Sequence, residues 1–103
     1  METSKEQMTA RIRDMETKFD SLTKALASLE GAVSEFNAVK EDLDILRDYM
    51  DSGMWLKDYE ADEAGQVPSC IKRGVLSQDG LYDLLENAGR VIALARETLA
   101  QVR

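Results

Sequence analysis

Between Met8 and Phe36 the apolar residues recur at alternating spacings of four and three: Met8, Ile12, Met15, Phe19, Leu22, Leu26, Leu29, Val33 and Phe36. A heptad seam sustained over about four heptads leaves few choices of fold, because it calls for a long helix whose apolar stripe meets another helix. The next heptad positions, Lys40 and Arg47, are polar, and the stripe survives by shifting phase to Val39, Leu43, Leu46 and Met50. Two successive three-residue steps, from Val33 to Phe36 to Val39, form a stammer-like break that locally overwinds a supercoil. The pattern predicts one helix over about 4–51. Gly31 falls inside it, at a cost of roughly 1 kcal/mol against Ala, and reads as a tolerated residue or a mild kink. A turn at Gly31, closing a monomeric three-helix bundle, is the competing reading.

The rest of the chain fits an all-α protein. Ala, Leu, Glu, Lys and Arg are plentiful, Pro68 is the only proline and aromatics make up 6% of the residues, which favours helix over strand. At 103 residues a single domain is expected. Gly53 reads as the end of the long helix. A short helix follows over about 54–64, with Trp55 and Tyr59 sharing a face at i, i+4. Gly65 suits its C′ position and Pro68 a stop beyond it. Residues 65–76 then read as an ordered loop. A closing helix is expected over about 77–102, with Ser77 as N-cap, Asp79 in the first turn, and Leu76 and Leu81 at hydrophobic-staple spacing. Its apolar face runs Leu81, Leu84, Leu85, Ala88, Val91, Ile92, Ala95, Leu99 and Val102. It is expected to lie antiparallel on the second half of the long helix.

Lengths then point to self-association. A helix over 4–51 is roughly 70 Å long and one over 77–102 about 39 Å. Folded back, the closing helix reaches only to the mid-twenties. Met8, Ile12, Met15, Phe19, Leu22 and Leu26 are left without a partner in the same chain, and a homodimer is expected through them.

Composition excludes several function classes. The net charge is −7, with 11 acids and 7 bases in residues 1–50, 5 and 1 in 51–66, and 4 and 5 in 67–103. An acidic chain repels phosphate backbones and anionic bilayers, so neither nucleic acid nor membrane is expected as a partner. No apolar run approaches the roughly 20 residues of a membrane span. The N-terminal METSKEQMTARIRD has no apolar core, so no signal peptide is expected. Cys70 is the only cysteine and suits a reducing cytoplasm. There is no histidine, which rules out Ser-His-Asp and Cys-His catalysis and Cys/His zinc sites. No cofactor is expected.

Specialised residues concentrate in 49–85, which holds Trp55, Pro68, Cys70, all three tyrosines and four of the six glycines. The block W-L-K-D-Y-E-A-D-E-A-G-Q-V-P, followed by K-R-G-V-L-S-Q-D, resembles a family of small bacterial proteins, domain-of-unknown-function family 4298. Its members pair a long heptad-like helix with W-x-x-D-x-E-A-D-E-x-G, a nearby Pro, K-R-G-V-L-S-x-D and a closing helix. The matching positions are Trp55, Asp58, Glu60, Ala61, Asp62, Glu63, Gly65, Pro68, Lys72, Arg73, Gly74, Val75, Leu76, Ser77 and Asp79. The resemblance implies a bacterial, cytoplasmic, all-helical protein and brings no activity with it.

The acidic cluster Asp58, Glu60, Asp62 and Glu63 is the leading candidate for recognition or metal binding. It crowds the C-terminal turns of the short helix, the wrong end for negative charge. Lys72 and Arg73 could instead neutralise it, forming a structural clasp with Trp55, Tyr59, Pro68 and Ser77. An EF-hand fits poorly, since Gly65 comes two positions late and Ser69 stands where a Glu is needed. Cys70 reads as a quiet thiol, and K-R-G-V-L-S as a helix entry more than a phosphate loop. The acidic pairs Glu60/Glu63 and Asp83/Glu86 resemble those of Mg²⁺-dependent all-α nucleotide pyrophosphohydrolases. The favoured reading is a non-enzymatic, self-associating scaffold or adaptor that meets an unidentified protein partner through residues 55–79. A carboxylate-metal hydrolase is the alternative.

Overall fold

The computed structural model describes residues 2–103, and they are all-helical apart from turns and short connections. Helix α1 spans Glu2–Asp51, α2 Met54–Glu63 and α3 Gly80–Ala100, with one 3-10 turn at Gly74–Leu76 between α2 and α3. The chain divides into two compact units, one ending at Lys40 and the other Glu41–Arg103.

The first unit is helix alone. It runs through Gly31 without interruption, and a Cβ at that position would meet nothing within 4 Å. Thr9, Thr17 and Thr23 return their hydroxyls to the carbonyls of Lys5, Arg13 and Phe19, and Lys18 pairs with Asp14 one turn earlier. Every residue from Thr3 to Asp42 is exposed. Leu26, Leu29, Val33, Phe36 and Val39 are among the exposed apolar residues. An amphipathic stripe says that a face is apolar, not that the same chain supplies its cover.

The second unit begins where the stripe has changed phase. Leu43, Leu46 and Met50 on the last turns of α1 are half-buried. Gly53, at φ 86°, breaks α1 from α2, in the left-handed region where side chains are strained. The Ser52 hydroxyl accepts from the Met54 N–H at 3.3 Å, so one open donor of the new helix is met. At the far end of α2, Gly65 N–H donates to the Asp62 carbonyl and Gln66 N–H to Ala61, with Gly65 at φ 73°. These two bonds are the Schellman pattern, with Gly65 at C′.

The start of α3 differs from the expected Ser77 cap. Ser77 is extended, its N–H donates back to the Gly74 carbonyl, and Asp79 takes the N-cap position without a side-chain cap bond. Ser77 folds over the first helical residue instead. A Cβ on Gly80 would collide with the Ser77 hydroxyl oxygen, with the Gly74 carbonyl 3.1 Å away. The absence of a side chain at Gly80 lets the 3-10 turn run straight into the helix. Leu76 and Leu81, at 8% and 2% exposure, are the buried apolar pair among the described residues. They are the pair expected to form a staple; with the cap at Asp79, one is buried on the 3-10 turn and the other in the first turn of α3, and those two elements pack together. Behind them Leu85, Ala88 and Ile92 are half-buried, while Leu84, Val91, Leu94 and Leu99 are exposed.

Candidate functional site

The acidic cluster sits on α2 and three polar ties converge on that helix. The Tyr49 hydroxyl on α1 donates to Asp58 Oδ2 at 2.5 Å. Arg73, just before the 3-10 turn, donates from Nη1 to Asp62 Oδ1 at 2.7 Å. Trp55 donates from Nε1 to the Val75 carbonyl at 2.8 Å. Trp55 also stacks on Tyr59, with ring centroids 5.1 Å apart and planes 17° from parallel. That is offset-stacked contact at i, i+4 on one helix face.

These ties explain why charge is tolerated at the wrong end of a helix. Asp62 lies in the last turn of α2, where the backbone carbonyls already concentrate negative potential. The Arg73 guanidinium supplies the opposing charge. Asp62 is 20% exposed and Arg73 41%, so the pair is partly screened by solvent. Asp58 spends one oxygen on a phenol. Glu60, Glu63 and Lys72 are exposed and take no ion pair among the described residues. Pro68 accepts from the Ile71 N–H at 3.1 Å in the connecting loop, and Cys70 is an exposed free thiol.

Tyr49 is the residue that the sequence did not single out. Partial burial, then the hydrogen bond to Asp58 and its negative charge, push the phenol up to about 12. No local pattern signals this contact, because the partners lie nine residues apart on two helices separated by Gly53. Tyr82 on α3 is raised as well, first by its hydrogen bond to Glu86.

Among the described residues no group of three or more Asp, Glu, Cys or His side chains is placed to hold an ion. Glu60 and Glu63 are thus not joined with Asp83 and Glu86 in such a set. A shallow groove beside the site is lined by Leu46, Val75, Leu81 and Leu84 and is mainly apolar. No described helix is long and apolar enough to cross a membrane.

The family model described as Domain of unknown function (DUF4298) matches residues 12–98. The chain belongs to this family. The match takes in most of the α1 seam, all of α2 and nearly all of α3. Comparison with curated proteins and with solved structures gave no match. For this DUF4298 member the function therefore has to be argued from its surfaces.

Proposed function

We propose that the chain is a non-enzymatic scaffold or adaptor that self-associates through the α1 seam and meets another protein through residues 55–79. The observation that carries this reading is the seam itself. Nine large apolar side chains from Met8 to Phe36 lie on one helix face, each 40–67% exposed. Scattered apolar exposure is ordinary, but a contiguous stripe of this length is a surface awaiting a partner. An isolated helix is also only marginally stable in water.

The second surface has a different character. Met54, Leu56, Ile71 and Val75 are exposed in the same stretch of chain as the Asp62–Arg73 pair, as are Glu60 and Glu63. Apolar patches with charged borders are how protein interfaces are built. The net charge of −7 supports a protein partner over nucleic acid or an anionic membrane, and one exposed thiol suits a reducing, cytoplasmic setting. The hydrolase alternative finds no group of three or more such side chains placed to hold an ion among the described residues.

Thermal unfolding tests the reading. A homodimer melts at a temperature that rises with protein concentration. A midpoint that stays constant over a wide concentration range contradicts it.

A further inference from the structure

The seam ends where the chain's own packing begins, and its flanking residues carry a direction. Ile12, Phe19, Leu26 and Val33 form one row of the heptad and Met8, Met15, Leu22, Leu29 and Phe36 the other. The second row continues through Leu43 and Met50, while Lys40 and Arg47 interrupt the first. Leu46 replaces that row one position earlier, and Leu43, Leu46 and Met50 are half-buried inside their own chain. The row change thus separates a half-buried stripe from a stripe that stays exposed. The exposed one is the surface left for another molecule.

We infer that the occupant of the exposed stripe is a second copy of this chain, running parallel and in register as a two-stranded coiled coil from Met8 to Phe36. The inference rests on the self-association reading above and adds strand number and direction to it. Two independent features of the seam support it.

The first is charge at the seam's edges. Arg11 and Lys18 flank the seam on one side, followed by Ala25 and Ala32; Thr9, Glu16, Thr23 and Glu30 flank it on the other. In a parallel pair each residue of the first edge faces the residue five positions later on the other helix. Arg11 then meets Glu16 of the second copy, twice by symmetry, and no like charges meet. In an antiparallel pair each edge faces itself. The antiparallel register that sets Ile12 against Phe36 of the second copy, and so covers the seam most fully, places Glu16 against Glu30 twice. Lys18 is already turned to Asp14 on its own helix, and the Thr9 and Thr23 hydroxyls are satisfied by their own backbone. Apart from Glu30 the rest of both edges is thereby close to neutral, so the Arg11–Glu16 attraction in the parallel pair and the Glu16–Glu30 repulsion in the antiparallel pair set the difference.

The second feature is side-chain shape. β-Branched residues in the first row with Leu in the second favour two parallel strands over three or four. Ile12 and Val33 stand in the first row, and Leu22 and Leu29 in the second.

Cysteine cross-linking in the full chain tests this. Cys70 is exposed and is first replaced by Ser. Met8→Cys and Leu29→Cys are then made singly, with Ala10→Cys, on the outer face, as control. A disulfide needs Cα atoms within about 7 Å. A parallel in-register pair brings every same-numbered seam residue together, so both seam variants form a disulfide-linked dimer on air oxidation and the control does not. An antiparallel pair brings a residue to its own copy only at the midpoint, so the two sites cannot both cross-link. A dimeric mass with one or neither site cross-linked overturns the direction and leaves self-association standing. A trimeric or larger mass overturns the two-stranded assignment, and a monomeric mass overturns both inferences.

Discussion

The Tyr49 hydroxyl donates to Asp58 Oδ2 at 2.5 Å, and this bond bridges the break that Gly53 makes between α1 and α2. The phenol must stay protonated to donate. Its pKa is pushed up to about 12 by partial burial and by Asp58, from 10.0. The folded state therefore holds this proton more tightly than the unfolded chain. The stability it contributes is fully present below pH 10 and is lost as pH rises through about 12. A phenolate titration by ultraviolet absorbance is expected to show one tyrosine ionising near pH 12, and Tyr49→Phe to remove that step. A wild-type titration without that step would show that the bond is absent in solution.

Packing around Trp55 is expected to outweigh the charge pair beside it. Trp55→Ala removes the stack on Tyr59 and leaves the Val75 carbonyl without its donor. For a half-buried tryptophan the loss is roughly 2–3 kcal/mol, below the range for fully buried aromatics. Arg73→Ala removes a partly exposed ion pair and is expected to cost about 0.5–1 kcal/mol. Urea unfolding of the two variants gives the comparison, and a larger loss for Arg73→Ala reverses the ranking.

Two glycines are expected to respond in opposite ways. Gly65 sits at φ 73° in the Schellman turn, so Gly65→Ala forces a side chain into the left-handed region at a cost of about 1–2 kcal/mol. Gly31 is helical with open space around it, and Gly31→Ala is expected to stabilise the helix by up to about 1 kcal/mol. It lies on the outer face of the heptad, away from the seam, so the variant should keep the wild-type mass. Destabilisation or dissociation by Gly31→Ala would place a partner on the wrong face of α1.

The sequence carries strong signals for the helices and weak ones for what covers them. The heptad row from Met8 to Phe36 and the glycines at 53 and 65 correspond to one uninterrupted helix and its two following breaks. Ser77 misled, because Ser followed by Asp79 and an apolar run looks like a cap. The backbone bond from Ser77 to Gly74, and the collision that any side chain at Gly80 would make, are not written in the residue types. The Asp62–Arg73 pair follows from opposed charges eleven residues apart, whereas Tyr49–Asp58 depends on how two helices meet at Gly53. The apolar face of α3 was legible as a face but not as an uncovered one, since periodicity is the same whether or not a partner is present.

The measurement that bears most directly on the account is the solution mass of the wild-type chain and of Phe19→Lys by light scattering. Phe19 is the most exposed residue of the seam. Burying a lysine charge at that row costs far more than exposing it. A dimeric wild type, with Phe19→Lys reduced to a monomer that keeps the Tyr49 titration step, is the predicted result. A wild-type chain of monomeric mass that Phe19→Lys leaves unchanged would contradict the account.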